Sequence, residues 1–316
     1  MQFPNERTIR NSRTPLSRLL LLLLTLALVA TACGGGEEAD TDQTPADGEE
    51  TSAAAGEGTI TIGWIPWDED IAATFLWKEI LEREGYTVEE TQLDVAPVFS
   101  GVADGSLDLF LDAWFPITHA DYKERFGDDF VDLGIWNAPA KLTIAVPEYV
   151  EVDSLAELAD NAEMFGSRIV GIEPGAGLTR VTREEVMPAY GLEDWELLES
   201  STPAMLAELE RAIDAEEPVV VTLWRPHWAY AGFPIKDLED PEGALGAEEE
   251  IHALARTGFA DDFPEVEQWL RNFELSADQL AGLSQKVVDA GNGNEQQAAA
   301  EWIDENQDVV DGWLSS

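Results

Sequence analysis

The stretch VVVTLWRPHW at residues 219–228 joins the apolar run of a buried strand to two tryptophans. A β-branched run of this kind predicts a strand, and the rings that follow it are expected at the edge of a cleft. Two further segments have the same organisation, namely ITIGWIPW at residues 60–67 and LDLFLDAW at residues 107–114. Three such tryptophans predict an aromatic cage, and ring faces attract a bulky cation that cannot donate hydrogen bonds.

The order of strand and helix patterns predicts the fold class. Strands are expected at residues 59–64, 86–93, 107–111, 141–146, 168–172 and 218–223, with helical patterns between most of them. Strands that alternate with helices predict an α/β fold with a mostly parallel sheet. Ligands bind at the carboxyl ends of such strands, where Trp67 and Trp114 follow. Beyond Pro241 the sequence is predicted to be helical.

Residues 1–32 are predicted to be a secretory signal peptide. Four arginines precede an apolar stretch at residues 19–30, which is too short to span a bilayer stably. The small residues before Cys33 resemble a bacterial lipobox, which implies that Cys33 is lipidated and begins the mature protein. An incidental free thiol is the alternative. Cys33 is the only cysteine, so no disulfide can form within the chain.

Residues 33–58 are predicted to be this lipidated cysteine followed by a disordered acidic tether. After residue 36 the segment consists mostly of Glu, Asp, Thr, Ala and Gly, and it contains no large apolar side chain. Such a composition buries too little surface to offset the entropy lost on ordering. The folded part is therefore expected to begin near Thr59.

The chain is strongly acidic, with 18 Lys and Arg against 64 Asp and Glu and a formal net charge of −46. Removal of residues 1–32 takes away four basic and one acidic residue, which leaves a mature net charge of −49. This charge argues against nucleic acid and anionic lipid surfaces as partners. Adaptation to high salt and the ordinary acidity of a secreted protein are the two interpretations, and we favour the first.

If the charge is an adaptation to high salt, we expect the melting temperature to fall when salt is diluted. The reason is that unscreened carboxylates on the surface repel one another. Thermal unfolding followed by circular dichroism over a series of NaCl concentrations measures the effect. A melting temperature that stays constant or rises on desalting would contradict the interpretation.

Five motifs follow one another along the chain, namely WIPWDEDIA at 64–72, LDAWFPITH at 111–119, EPGAGL at 173–178, ESSTPAM at 199–205 and VVTLWRPHW at 220–228. In this order they resemble glycine betaine binding proteins of ABC transporters, and the similarity spans about residues 60 to 273, nearly the whole folded part. The resemblance implies a two-lobed, periplasmic-binding-protein-like (Venus flytrap) fold with two mixed, mostly parallel sheets and a two-strand hinge. Lobe 1 is expected to comprise residues 59–145 and 225–316, and lobe 2 residues 146–224.

The resemblance also implies a binding site that is split between the lobes. Trp67, Trp114 and Trp224 would form a prism around a quaternary ammonium group. The backbone amides of Gly177 and Leu178 and the side chain of His119 would hold the ligand's carboxylate.

Elementary chemistry agrees with these roles. A trimethylammonium group has no N–H, so ring faces suit its charge, at roughly 0.5–2 kcal/mol for each ring. The glycines of residues 175–177 precede a helix, which lets backbone N–H groups approach an anion. A histidine donates a hydrogen bond whether it is neutral or charged. In isolation, however, a tryptophan at a strand end more often packs in a core, a lone histidine is more often a surface or capping residue, and the two glycines could simply form a turn.

Several nearby residues receive other interpretations. Asp68 and Glu69 are expected to be solvated or to cap a helix, although one of them could meet a ligand hydroxyl, and His227 is expected to be structural. Trp136 and Trp228 either wall the cleft or pack beneath it. The remaining tryptophans are predicted core residues: Trp64, Trp77, Trp195, Trp269, Trp302 and Trp313.

These features predict an extracytoplasmic substrate-binding lipoprotein of an ABC importer. The protein is expected to be monomeric, to capture glycine betaine or a related quaternary ammonium solute for osmoprotective uptake, and to deliver it to a permease with its cytoplasmic ATPase. Choline or carnitine is the alternative ligand, and an adhesin or receptor ectodomain is an alternative class. The sequence lacks a Gly-x-Ser-x-Gly motif, a phosphate loop and a His/Cys metal cluster, so neither an enzyme nor a cofactor or metal is predicted.

Overall fold

The structure is a computed structural model that describes residues 56–315. The predicted signal peptide, Cys33 and all but the last three residues of the predicted tether lie outside the described residues. Within residues 56–315, no helix is both long enough and apolar enough to cross a membrane.

The described chain has nine strands. Eight of them form one continuous path of pairing in the order β2-β1-β3-β9-β4-β7-β5-β6, and the ninth, β8, pairs with β4. Their bounds are β1 Thr59–Trp64, β2 Thr87–Gln92, β3 Leu109–Phe115, β4 Phe130–Pro147, β5 Arg168–Val170, β6 Glu196–Leu198, β7 Val221–Arg225, β8 Ile235–Asp237 and β9 Glu249–Arg256. The predicted strands are all represented, and β3 and β7 continue far enough to include Trp114 and Trp224.

Thirteen α-helices of the described chain surround these strands. They are α1 Asp68–Arg83, α2 Val95–Asp104, α3 Ala120–Phe126, α4 Ala162–Phe165, α5 Gly177–Val181, α6 Met187–Ala189, α7 Thr202–Asp214, α8 Ala229–Gly232, α9 Phe259–Asp262, α10 Pro264–Asn272, α11 Ala277–Ala290, α12 Glu295–Glu305 and α13 Gln307–Leu314. A π-helical turn at Thr182–Val186 joins α5 to α6, so the two form one helical segment that begins at Gly177.

The long strand β4 belongs to two sheets. Up to Ala140 it pairs with β9, and from Lys141 onward it pairs with β7 and then β8. The first sheet contains β1, β2, β3 and β9, and the second contains β5, β6, β7 and β8. We call the parts built on these sheets the first and the second lobe. The predicted two-lobed, mixed α/β architecture is confirmed.

The expected predominance of parallel pairing is not found, because four of the eight strand pairs in the described chain are antiparallel. Two of the four involve β9, at residues predicted to be helical, which pairs antiparallel with both β3 and β4. The other two join β4 to β7 and to β8. The β9 sequence EEIHALAR contains several good helix formers, and tertiary pairing overrides their propensity. Helical structure follows only from Phe259 onward.

The lobe boundaries remain a prediction, although the strand pairings favour a later return of the chain to the first lobe. Strand β8 pairs with residues 145–147 of β4, on the side of the second sheet. Glu239 forms an isolated bridge with Ser154. Residues 225–239 therefore accompany the second lobe rather than the first, and the chain rejoins the first sheet at β9.

Four of the predicted core tryptophans, Trp77, Trp195, Trp302 and Trp313, are buried as expected. In the first lobe, Trp313 stacks on Trp77 and on Trp302, with ring centroids 6.3 and 6.4 Å apart. Trp136 also packs in this core: it stacks on Phe273 at 5.0 Å and donates its indole N–H to the Leu111 carbonyl. Trp64 and Trp269 are only partly buried.

Candidate functional site

An apolar cavity lies between the two lobes, with about 280 Å³ of empty space including its mouth. Three of its walls are Trp67, Trp114 and Trp224, which are 5%, 2% and 4% exposed. The other residues around it are Glu69, Thr118, Leu142, Ile172, Ala176, Gly177 and Leu178. The structure thus brings together five of the six predicted ligand contacts, while the sixth, His119, is absent from the cavity wall.

Each cage ring is positioned by a different element. Trp67 immediately precedes helix α1, Trp114 lies in strand β3 and Trp224 lies in strand β7. The first two belong to the first lobe, while Trp224 pairs with Leu142 in the second sheet. The cage is therefore complete only while the lobes are in contact.

A carboxylate accepts the indole N–H of every cage tryptophan. Trp67 donates to Glu173 at 3.3 Å and Trp224 donates to Glu69 at 2.8 Å. In both cases the carboxylate comes from the opposite lobe. The third ring, Trp114, donates to Asp112 on its own strand at 2.8 Å.

Glu173 is itself held in the second lobe by Thr202. The Thr202 backbone N–H donates to one carboxylate oxygen at 2.9 Å, and its hydroxyl donates to the other at 3.1 Å. The orientation of the Trp67 ring therefore depends on the N-terminus of helix α7. This region contains the motif ESSTPAM, which the resemblance identified without assigning it a role.

The prediction that Glu69 is solvated is wrong, because this residue is 4% exposed and lines the cavity. Burial, with the nearby Asp112, raises its pKa well above the ordinary value. Asp112 is fully buried, and burial raises its pKa to about 7 against the opposing hydrogen bond from Trp114. The sequence signal for the burial of Asp112 is that all other residues of strand β3, LFLDAWF, are apolar.

Gly177 and Leu178 are the first two residues of the helical segment, where backbone N–H groups have no acceptor within the helix. A Cβ atom at Gly177 would lie 2.0 Å from the Thr118 backbone oxygen of the first lobe. Only glycine allows this approach. Thr118 is fixed in turn by Glu249, which accepts its backbone N–H at 2.8 Å.

His119 is fully buried, and its ring stacks on Trp67 with centroids 5.7 Å apart. Its Nδ1 accepts the Trp114 backbone N–H at 2.9 Å, so in the neutral ring the proton is on Nε2. Burial, with a smaller contribution from Arg180, lowers the pKa of His119 to about 3. Within the described chain, Nε2 has no hydrogen-bond partner. The histidine is therefore a neutral donor beside the cage.

Further contacts join the lobes around the cavity. Arg180 donates to the Ile117 carbonyl at 3.0 Å and lies 3.3 Å from Asp121. Asp68 accepts the indole N–H of Trp228 at 2.8 Å, and its other oxygen lies 3.0 Å from His227 Nε2. Trp228 is therefore a contact between the lobes and not part of the cage wall, while Asp68, the first residue of helix α1, is partly exposed.

Comparisons with known proteins agree with this architecture. Residues 58–305 match the protein family described as the substrate binding domain of ABC-type glycine betaine transport systems. The glycine betaine/carnitine transport binding protein GbuC of Listeria monocytogenes is 37% identical over 156 residues, which are 49% of this chain and 51% of that protein. The match therefore spans about half the length of this relative.

Two solved structures resemble nearly all of the described fold. Lactococcal OpuAC, in its closed conformation with glycine betaine, has a TM-score of 0.77 and 30% identity over 82% of this chain and 100% of its own. The glycine betaine, L-proline binding protein ProX of Borrelia burgdorferi has a TM-score of 0.77 and 32% identity over 82% of this chain and 97% of its own. On the extent of the family match, the chain belongs to the family of substrate-binding domains of ABC-type glycine betaine transport systems.

Proposed function

We propose that this chain is the extracytoplasmic substrate-binding protein of an ABC importer and captures glycine betaine or a closely related quaternary ammonium solute. Family membership supports the role in transport. The ligand class is proposed from one observation: three indole rings and the first two residues of a helix line the same cavity. A cation and an anion of one small molecule can be recognised at the same time there.

The three rings would take the ammonium end. A trimethylammonium group offers no hydrogen-bond donor, so its charge is best met by π faces, worth about 0.5–2 kcal/mol for each ring. The carboxylates that accept the indole N–H groups of Trp67, Trp114 and Trp224 hold those faces in orientation. The apolar wall residues Leu142 and Ile172 suit the methyl groups.

The backbone amides of Gly177 and Leu178 would take the carboxylate end. They are oriented by the helical segment that begins there, and a helix N-terminus favours an anion. His119 would add a neutral donor, since its Nε2 carries the proton and has no partner among the described residues. Its stacking on Trp67 places it beside the first-lobe wall of the cage.

The protein would deliver its ligand to a membrane permease for osmoprotective uptake. Lipidation of Cys33 would hold it, as a monomer, at the outer face of the cell membrane, and the acidic segment behind Cys33 would act as a tether. We propose no catalytic step, cofactor or metal for this role. Binding and release, controlled by closure of the lobes, are sufficient for it.

Isothermal titration is expected to give a dissociation constant for glycine betaine at least tenfold below that for choline. Choline lacks the carboxylate, and each buried donor left unpaired costs about 1–3 kcal/mol, which corresponds to roughly five- to 150-fold in affinity. Proline betaine and carnitine complete the series. Trp fluorescence should report the same events, because the rings contact the ligand.

Tetramethylammonium and glycine are the matched controls, since each carries only part of the ligand's recognition features. Tetramethylammonium keeps the cation without the carboxylate, and glycine keeps the carboxylate without the methyl groups. Both are expected to bind more weakly than glycine betaine. Equal or tighter binding of choline would instead favour the alternative ligand, with Glu69 as a possible acceptor for its hydroxyl.

A further inference from the structure

Three buried carboxylate side chains of the first lobe influence one another electrostatically next to the cage. Glu69 and Asp70 lie in the first turn of helix α1 and Asp112 lies on the neighbouring strand β3; none of the three is more than 4% exposed. Glu69 accepts the indole N–H of Trp224, and Asp112 accepts that of Trp114. If Glu69 and Asp112 are ionised, their negative charges therefore lie at the N–H edges of two indole rings that line the cavity.

The three carboxylates differ in how many hydrogen bonds they accept from the protein. Asp70 accepts the Ile65 backbone N–H at 2.7 Å and the Thr74 hydroxyl at 3.2 Å. Asp112 has the indole of Trp114 alone, and its Oδ2 has no hydrogen-bond partner in the described chain although it is buried. Asp70 is therefore a structural acceptor, whereas Asp112 has an unused oxygen.

No cation of residues 56–315 compensates this group of acids. None of the three carboxylates forms an ion pair with these residues, that is, none lies within 4.0 Å of a side-chain nitrogen of their Lys, Arg or His residues. The acids on adjoining elements, Asp68, Glu173 and Glu249, have other hydrogen-bond partners. Of the two nearby histidines, His119 is neutral and His252 pairs with Asp132.

Buried carboxylates without a counter-ion are costly to ionise, so protons are retained. Burial raises the pKa values of Glu69 and Asp70 well above their ordinary range, and Asp112 adds to both effects. Burial also raises the pKa of Asp112, to about 7. At neutral pH the group therefore carries fewer negative charges than it has carboxylates, and it is sensitive to an arriving positive charge.

We propose that Glu69 and Asp112 hold a proton in the ligand-free protein and release it to solvent when a permanent cation enters the cage. The proton and the cation are alternative counter-charges for the same pair of carboxylates. A quaternary ammonium group cannot lose its charge, so the proton is the partner that leaves. The inference rests on the proposed function and adds to it a coupling between capture and pH.

The coupling has a definite sign. The cation stabilises the ionised carboxylate, so binding lowers the pKa of the pair, and by reciprocity deprotonation strengthens binding. Affinity is therefore expected to rise with pH through the range in which the ligand-free pair loses its proton. Release of one proton changes the binding constant by up to about tenfold for each pH unit.

Calorimetric titration with glycine betaine tests the proposal when it is repeated in buffers of different ionisation enthalpy. The dependence of the measured heat on the buffer gives the number of protons released. We expect a net release of protons on binding near pH 7 and a larger release near pH 6. Asp112→Asn keeps the shape and an acceptor for Trp114, and it is expected to remove most of the release and flatten the pH dependence of the affinity.

Glu173→Gln is the matched control, because it replaces the carboxylate of the third indole, which is only partly buried. It should leave the number of released protons unchanged, whatever its effect on affinity. Glu69→Gln provides a second test at the other member of the pair and should reduce the release as Asp112→Asn does. Tight binding without proton release between pH 6 and 8 would overturn the proposal and leave the proposed function standing. Absence of any binding would overturn both.

Discussion

Replacement of Gly177 by alanine is expected to weaken glycine betaine binding by about ten- to a hundredfold. The added Cβ would lie 2.0 Å from the Thr118 backbone oxygen and 2.7 Å from its carbonyl carbon. Overpacking of this kind costs about 1–3 kcal/mol, and each 1.4 kcal/mol is tenfold in affinity. Because Glu249 fixes the Thr118 backbone, the strain is expected to be relieved by separation of the lobes.

The effect should be confined to the closed state. Gly177 does not have a left-handed φ, so alanine introduces no local backbone strain. The melting temperature of the ligand-free protein is therefore expected to change little, while the increase in melting temperature that the ligand produces should become smaller. Small-angle scattering should show that the variant remains open at ligand concentrations that close the parent protein.

Gly175→Ala is the matched control in the same loop. A Cβ atom there would meet Val95 Cγ1 at 3.5 Å, which is an ordinary van der Waals contact. This variant should bind glycine betaine within about threefold of the parent, since scatter among surface changes is about 0.5 kcal/mol. Equal losses in both variants would show that the loop itself, and not the contact with Thr118, controls affinity.

Much of this arrangement could be predicted because its signals are local. A run of apolar residues marks the strand that contains or precedes each cage tryptophan. The glycines of EPGAGL, just before a helix, are typical of a loop whose backbone approaches another group closely. Hydrophobic periodicity does not indicate that Trp67, Trp114 and Trp224 come together across the lobes. That prediction came from the resemblance of the motifs to a known family. In the structure the three rings line one cavity together with Gly177 and Leu178.

The carboxylates could not be predicted in the same way. Asp68, Glu69 and Asp70 are consecutive acids at a helix N-terminus, a position that ordinarily indicates solvated residues. Trp224 and Trp228 reach Glu69 and Asp68 from the other side of the cleft, and these are tertiary contacts that the local sequence pattern does not contain. Asp70 accepts hydrogen bonds from Ile65 and Thr74. Strand β9 was missed for a related reason, since its antiparallel partners β3 and β4 are distant in sequence.

Replacement of Trp114 by alanine is expected to weaken glycine betaine binding by about thirtyfold or more. The change removes one face of the cage, worth up to about 2 kcal/mol, and leaves a void that the cation cannot fill. It also deprives Asp112 of its hydrogen bond from Trp114. Titration calorimetry measures the loss, and Trp269→Ala, at a partly buried ring on helix α10 outside the cavity, is the control.

Trp114→Phe separates the role of the ring from that of its N–H group, and it protects the test if the alanine variant fails to fold. Phenylalanine keeps an apolar face, so binding should persist at reduced affinity, because its ring attracts cations less strongly than an indole does. The phenyl ring cannot donate to Asp112, so the pKa of that carboxyl should rise further and more proton should be released on binding at neutral pH. Full affinity in Trp114→Ala would exclude the cage. Full affinity in Trp114→Phe, together with unchanged proton release, would exclude a role for the bond between the indole and Asp112.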